Sequence, residues 1–389
     1  MANQTRILFG IITKSHTELA LDEMYGFQDL GYSCDKFEYG ANKNIDSSIG
    51  RLLIVLLNAF KLLVKTYRFN PHFIYLNSRL EYIAGTRDFI TILLIKTFYY
   101  KKIDFILKSH GSDLEVLTTK KIVYSKIIFP FLNNHIRGWL FLSTEEIKWI
   151  NSKNLIHEER IFLAKNIVRN KKFVQDPDFK KKFNINSDYK ILLYVGRLLK
   201  QKGIHDVIDA FAEIDGKYKI VLIVVGDGEE FESIQEKIEK LGIKKNIILT
   251  GWVNEKEAAY YTSNSDILVF PTYYPEGFPM VVFNSLAAGL AIITTPTRAA
   301  IDYLNQPANC IWVESQNKTS IISAISKLLN DDPLTKQMRS NNIERSTLFT
   351  KEIVAKELSS IVKAIESNTY RTTFIEIKDQ IEHSKQYSQ

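Results

Sequence analysis

The stretch Phe270-Pro271-Thr272-Tyr273-Tyr274-Pro275-Glu276-Gly277-Phe278-Pro279-Met280-Val281-Val282-Phe283-Asn284-Ser285-Leu286-Ala287-Ala288-Gly289 decides how this chain reads. An apolar strand, Asp266 to Phe270, runs into it. Two prolines turn the backbone, Glu276 stands at the expected start of a helix, and Gly289 ends that helix. A strand, a turn and a helix N-terminus bring unpaired backbone N–H groups and the positive end of a dipole to one spot. Such a spot suits an anionic ligand. A carboxylate there has another task, handling hydroxyls or a developing cation. Taken alone, the segment is equally well explained as a helix start favoured by Glu and Pro. The loops around it decide.

Two further strands in the same half end in loops of similar character. Lys190–Val195 runs into Gly196-Arg197-Leu198-Leu199-Lys200-Gln201-Lys202-Gly203, and Lys219–Val225 runs into Gly226-Asp227-Gly228. Each is followed by a helix with apolar residues at helical spacing: Ile204, Val207, Ile208 and Phe211, then Phe231, Ile234, Ile238 and Leu241. A guanidinium and an ammonium flanking a tight turn, Arg197 and Lys202, suit two phosphates and the charge that grows on a departing diphosphate. Strand Asn246–Thr250 ends at Gly251-Trp252, and Leu290–Thr294 and residues 309–313 complete the strands. The third glycine of a dinucleotide fingerprint is missing, since Phe231 stands there, and no phosphate-binding loop of the P-loop NTPase type occurs.

Residues 1–168 show the same alternation. Strands are expected at Arg6–Ile11, Tyr32–Tyr39, His72–Leu76, Ile103–Lys108, Gly138–Leu142 and Arg160–Ala164, with a helix over 17–30 bounded by Thr17 and Gly31. Alternation of this kind predicts parallel sheets covered by helices on both faces. Ligands of such sheets bind at the carboxyl ends of the strands, so Gly10–His16, Asn77–Arg79 and Ser109–Asp113 are expected on one rim. The polar run 169–188 reads as a linker. Its Asp176-Pro177-Asp178 follows no apolar strand and is not read as a metal site. Helices near 317–330, 333–348, 351–367 and 371–385 finish the chain, the last expected to cross back to the first domain.

Composition narrows the class. With 389 residues, 45% hydrophobic, the chain is long enough for two domains with full cores. Two cysteines, Cys34 and Cys310, make no disulfide framework, and no basic-then-apolar leader opens the chain, so a cytoplasmic setting is expected. No apolar run reaches the roughly 18 residues that span a bilayer. Residues 1–170 hold 23 Lys and Arg against 16 Asp and Glu, which is the whole net charge of +7. An anionic partner is therefore expected on the first half. Helix 49–68 carries Arg51, Asn58, Lys61, Lys65 and Arg68 as one basic stripe, the pattern of a helix lying on a membrane surface; a sheet-covering helix with a solvated basic face has the same pattern. No nucleic-acid-binding module is recognisable, so a nucleic-acid partner is not expected.

Together the loops resemble the family 4 glycosyltransferases, retaining enzymes of the GT-B fold. The resemblance runs through Tyr194-Val195-Gly196-Arg197, Lys202-Gly203, Val225-Gly226-Asp227-Gly228, Gly251-Trp252-Val253 and Pro271 to Gly289, and covers residues 190–315. It implies an α/β fold of two Rossmann-like parallel-sheet domains facing across a cleft: residues 1–168 on the acceptor side and 189–370 binding a nucleotide-diphosphate sugar, a UDP- or GDP-sugar. Arg197 and Lys202 match the basic pair at the donor diphosphate, with Gly196, Gly226 and Gly228 in the same loops. Glu276 matches the first carboxylate of the family's Glu-x7-Glu motif, at the reacting sugar. Gly277 and Phe278 match the turn over sugar and phosphate, and Trp252 and Val253 lie where the base is held. Position 284 departs from the motif: Asn284 stands where the family has the second Glu, at the ribose. His110, in His110-Gly111-Ser112-Asp113, resembles the family's histidine loop at the donor sugar; a turn-capping His-Gly has the same spelling. The resemblance implies sugar transfer with retention and without a bound metal, onto a glycan or polyprenyl-diphosphate-linked acceptor of capsule, O-antigen or exopolysaccharide synthesis. The alternative is a non-catalytic member that binds a sugar nucleotide or a partner enzyme.

Overall fold

The computed structural model describes residues 4–11, 14–38, 47–111 and 113–368. The chain forms two compact units. The first comprises the chain up to Ile167 together with the helix Lys351–Ser367; the second is Val168–Thr350.

The first unit is built on six parallel strands: β1 (Arg6–Ile11), β2 (Ser33–Glu38), β3 (Phe73–Ser78), β4 (Asp104–Ser109), β5 (Ile136–Phe141) and β6 (Ile161–Leu163). Their order across the sheet is β2-β1-β3-β4-β5-β6. The order reverses between β1 and β3, where an open parallel sheet leaves a crevice at its carboxyl edge. The strands are near-continuous apolar runs because both faces are covered. Leu8, Ile74, Leu76, Phe105, Leu107, Trp139 and Phe141 point into one core; Ile7, Phe9, Phe73, Tyr75, Ile106 and Leu140 into the other. Three helices cover the sheet early in the chain: α1 (Lys14–Asp29), α2 (Ser48–Phe69) and α3 (Tyr82–Phe98). α1 begins three residues before the expected Thr17 cap, and Gly31 follows its end in the left-handed conformation, at φ 87°.

The helix Lys351–Ser367 closes the second core of this unit with Val354, Leu358, Ile361, Val362 and Ile365. Two glycines admit it. A Cβ on Gly26 of α1 would stand 2.6 Å from the Ala355 Cβ, and one on Gly138 of β5 would stand 2.5 Å from Ile365 Cδ1. Tyr32 and Ser359 share a hydroxyl hydrogen bond of 2.8 Å, and Lys165 pairs with Glu357 at 2.6 Å. The expected second domain, 189–370, thus loses its last helix to the first unit, and the crossing lies earlier than 371–389. Those final residues lie outside the described ones.

The second unit repeats the architecture with β7 (Lys190–Val195), β8 (Ile220–Val225), β9 (Ile247–Leu249), β10 (Ile267–Phe270), β11 (Ala291–Thr294) and β12 (Ile311–Trp312), in the order β12-β11-β10-β7-β8-β9. All are parallel. Here the reversal lies between β7 and β10. The run 169–188, expected as a linker, belongs to this unit. Phe179 and Phe183 pack on Tyr261, with ring centroids 6.1 and 5.5 Å away. Asp176, the first residue of the Asp-Pro-Asp run, receives Lys182 and the Tyr260 hydroxyl at 2.6 Å each, which holds its carboxyl down at about 2. Among the described residues no cluster of three or more His, Cys, Asp or Glu is placed to hold a metal, and no helix is long and apolar enough to cross a membrane.

Candidate active site

Gly196 to Gly203 leaves the carboxyl end of β7, and Pro271 to Pro279 leaves the carboxyl end of β10. These are the two strands that flank the reversal, so their loops meet. Backbone N–H groups of Tyr273 and Tyr274 donate to the Gln201 carbonyl at 2.9 and 3.1 Å, and the Thr272 hydroxyl donates to it at 3.4 Å. Gly203, at φ 75°, lies under Pro271; a Cβ there would fall 2.5 Å from the Pro271 carbonyl oxygen. The lysine between these staples, Lys202, is thereby aimed at Glu276: Nζ lies 2.7 Å from Oε1. Both side chains are less than one-fifth exposed, at 18% and 19%. The contact is a charge pair and not a directed hydrogen bond, for that buried carboxylate oxygen accepts none. Lys202 also lies over the rings of Tyr274 and Phe270, 5.6 and 5.9 Å from their centroids. Beneath it, burial and the Glu276 charge push the Tyr194 hydroxyl well above its usual range.

Glu276 does not open the helix as its sequence suggested. The helix runs Met280–Ala287 with Pro279 as its N-cap, so Glu276 stands in the loop four residues earlier. Proline fixes the entry and Phe278 pins it: its ring stacks on Phe283 at 3.8 Å and meets Phe349 at 5.7 Å. Gly277 is buried beside it, its carbonyl accepting from Ala299 at 3.4 Å. Asn284, one turn into the helix, has a buried side-chain oxygen with no hydrogen-bond partner. A buried acceptor left unpaired is costly, and it is poised to receive a donor from a bound molecule.

The glycines of the second loop admit a neighbouring loop. A Cβ on Gly226, at φ 136°, would lie 2.0 Å from the Gly196 carbonyl oxygen, and one on Gly228 would lie 2.4 Å from the Leu198 carbonyl oxygen. They let the β8 loop pack against the β7 loop, joined by Leu198 N–H to Asp227 at 2.9 Å and Glu230 N–H to Leu198 at 3.1 Å. Arg197 points outward and pairs with Glu229 at 3.2 Å, both side chains well exposed. Gly251 bridges back to Gly226, and Trp252 beyond it is 75% exposed, with Val253 half-buried.

In the first unit, β3 and β4 end side by side, with Ser78 opposite Ser109. The rim expected from the sequence forms there for 77–79 and 109–111; Ile12, Thr13 and Ser112 lie outside the described residues. His110 is buried, and its Nε2 lies 2.7 Å from Asn77 Oδ1. Arg79 donates to the His110 carbonyl at 3.1 Å and holds the Gly111 turn. Asn77 and Arg79 are residues the sequence placed on the rim without a role. Below them Lys108 and Glu23 form an ion pair that is fully buried; Lys108 also donates to the Lys165 carbonyl at 2.7 Å. Burial dominates both groups, raising the Glu23 carboxyl and lowering the Lys108 ammonium relative to their usual values. A lysine in a strand gave no sequence signal of this pair.

The geometry of the second unit has counterparts. A family model for glycosyl transferases group 1 matches residues 175–345. The capsular polysaccharide biosynthesis glycosyltransferase CapM of Staphylococcus aureus is 28% identical over 73% of this chain and 67% of its own length. A Campylobacter jejuni N-acetylgalactosamine-N,N'-diacetylbacillosaminyl-diphospho-undecaprenol 4-alpha-N-acetylgalactosaminyltransferase is 27% identical over 43% of this chain and 45% of its own. Matched stretches span from 39% to 85% of the lengths of the curated relatives. Among solved structures, Anabaena Alr3699/HepE in complex with UDP and glucose superposes over 93% of this chain and all of its own, with a TM-score of 0.72 at 15% identity. Residues 175–345 of the second unit thus match the group 1 glycosyltransferases, and the two Rossmann-like sheets with the superposed structure show that the chain has the GT-B fold.

Proposed function

We propose that this chain transfers a sugar, with retention of anomeric configuration, from a nucleotide-diphosphate sugar to a polyprenyl-diphosphate-linked glycan. The product would serve capsule, O-antigen or exopolysaccharide synthesis at the cytoplasmic side of the membrane. The observation that carries the reading is the Lys202–Glu276 pair at the strand reversal of the second unit: a cation and a carboxylate held together where such sheets bind ligands. In transfer, the bond between the sugar C1 and the diphosphate oxygen breaks, and the electron pair leaves with the diphosphate. Lys202, with Arg197 released from the solvent-exposed Glu229, neutralises that charge without a divalent ion. Glu276 then turns to the sugar hydroxyls and the positive charge at C1. The acceptor oxygen bonds to C1 on the same face, and its proton goes to the departing phosphate oxygen. Gly277 and Phe278 shape the turn over the sugar, Asn284 receives a ribose hydroxyl on its unpaired oxygen, and Trp252 with Val253 flanks the base. His110, its ring fixed by Asn77, is the candidate site residue of the first unit. The named ligand of the Anabaena relative supports a uridine donor, with a GDP-sugar as the other choice; the names of CapM and the Campylobacter transferase support the acceptor class.

The test is a thermal-shift panel of UDP, GDP, dTDP, ADP and CMP without metal, followed by turnover with the matching sugar nucleotides. A nucleotide at 100 times its Kd adds about 2.7 kcal/mol of stability. A shift with one diphosphate and transfer with retained configuration are expected. A shift without turnover on any acceptor would favour the second reading, a non-catalytic sugar-nucleotide binder, for which the Asn284 departure speaks. No shift with any nucleotide would refute the donor site.

A further inference from the structure

We propose that the outer face of α2 is a docking surface for an anionic phospholipid leaflet, with the leucines inserted among the acyl chains and an adjacent groove taking a lipid phosphate. The assignment rests on the surface of the first unit and stands apart from the transfer chemistry. α2 covers the sheet with only a narrow stripe: Ala59, Leu62, Leu63 and Thr66 are buried. Much of its remaining apolar surface faces out, although Ile54, Val55, Val64 and Phe69 are half-buried. Leu52, Leu53, Leu56, Leu57 and Phe60 are between 42% and 60% exposed. Five large apolar side chains on one helix exceed the scattered exposure normal for a soluble surface. At 22 residues the helix is about 33 Å long, so the ridge lies along a surface and is not a point contact.

The chemistry beside the ridge identifies the occupant. α2 contains no Asp or Glu. A groove of about 580 Å³ runs along it between Phe60, Phe69 and the cations Lys61, Lys65 and Arg68. Lys65 is already engaged, pairing with Asp35 at 2.7 Å and donating to the Lys36 carbonyl at 2.6 Å, which also neutralises the one carboxylate lining the groove. Lys61 and Arg68 have no ion-pair partner among the described residues, so the groove is left with two positive charges open to an anion. At the C-terminal end of the helix the apolar surface continues through exposed Tyr67, Phe98 and Tyr100, where Tyr67 donates to the Phe98 carbonyl. Tyrosines at the end of an apolar ridge, with lysines Lys101 and Lys102 following, are the composition of a lipid–water boundary. A second copy of the chain is the poorer fit, because α2 against α2 would bring together cations only.

The experiment is co-sedimentation of the full chain with phosphatidylcholine vesicles, with and without 30 mol% (about one lipid in three) phosphatidylglycerol. Binding to the anionic vesicles, weakened by salt and not displaced by millimolar inorganic phosphate, is the expected result. Lys61→Gln with Arg68→Gln should weaken it about thirty-fold, at about 1 kcal/mol per cation near an anionic leaflet. Leu53→Gln with Leu57→Gln and Phe60→Gln should abolish it with the melting temperature little changed, since these side chains are more than half exposed and lie outside both core clusters. Wild-type protein that stays in the supernatant with anionic vesicles would overturn the proposal. So would a leucine variant that binds as the wild type does, or a wild-type dimer in sedimentation velocity that the leucine variant dissolves while vesicles bind neither.

Discussion

The Lys202–Glu276 pair makes one perturbation especially informative. Replacing Glu276 with Gln keeps the shape and removes the charge. In the free protein Lys202 is held 2.7 Å from the carboxylate; under the proposed function a nucleotide diphosphate competes with Glu276 for it. Exposed pairs contribute up to about 1 kcal/mol, and the weaker screening of a mostly buried pair raises that. Since both side chains are under one-fifth exposed, about 1 to 2 kcal/mol of competition is a fair value. Its removal should tighten binding of the bare diphosphate about five- to thirty-fold. The same substitution leaves the positive charge developing at the sugar without its carboxylate, so transfer should fall by two orders of magnitude or more, about 3 kcal/mol of barrier. Isothermal titration calorimetry with the diphosphate found in the thermal-shift panel gives the first quantity, and initial rates the second. If the Gln variant bound the diphosphate more weakly than wild type, Lys202 would not be its ligand and the reasoning would fail. If it bound tighter but transferred at the wild-type rate, the catalytic role of Glu276 would be lost and the phosphate role kept.

Other substitutions test separate steps. Asn284→Ala should weaken nucleotide binding about tenfold, one hydrogen bond of about 1.4 kcal/mol, and leave the unliganded melting temperature nearly unchanged because its oxygen has no partner to lose; titration with the nucleotide reads it. Gly226→Ala combines a left-handed φ of 136° with a Cβ 2.0 Å from the Gly196 oxygen. Strain and overpacking together should cost at least about 3 kcal/mol, a fall of about 6 to 12 °C in the melting of the second unit by calorimetry. Lys108→Met leaves Glu23 buried without its cation. Burial already raises the Glu23 carboxyl above its unfolded value, so its protonated form favours the fold, and the favour is lost as pH rises through the folded value. The variant should therefore melt lower at pH 8 than at pH 5 by more than wild type does; an unchanged difference would mean Glu23 finds another cation.

Much of this was legible in the sequence, for physical reasons that also mark where legibility stops. The parallel sheets were readable because buried strands such as Ile220–Val225 are unbroken apolar runs bounded by glycine. The loops of the second unit were readable because Lys202 and Glu276 stand at strand ends, where chemistry in such sheets is placed. The allegiance of Lys351–Ser367 was not. Its apolar stripe shows that one face is buried but not which sheet buries it; Gly26 and Gly138 recorded the answer, and a glycine in isolation does not name its neighbour. Nor did the sequence separate a glycine that admits a ligand from one that admits another loop, as at Gly226 and Gly228. For α2 the periodicity gave a basic stripe and an apolar remainder, while the side that turned inward was set by the width of Ala59, Leu62, Leu63 and Thr66 against the sheet.

The return of the last described helix has a consequence for how the chain is made. Translation delivers the strands of the first unit early, yet the helix that seals one of its two cores follows Thr350. At about 5 to 20 residues per second, the intervening 180 or so residues occupy the ribosome for roughly 9 to 36 seconds. Through that interval Phe9, Phe73 and Tyr75 sit beneath an unroofed flank, while the second unit, contiguous in the chain, is free to complete itself first. The earliest synthesised half is thus the last to mature, and it is the half that a chaperone would find open on the nascent chain.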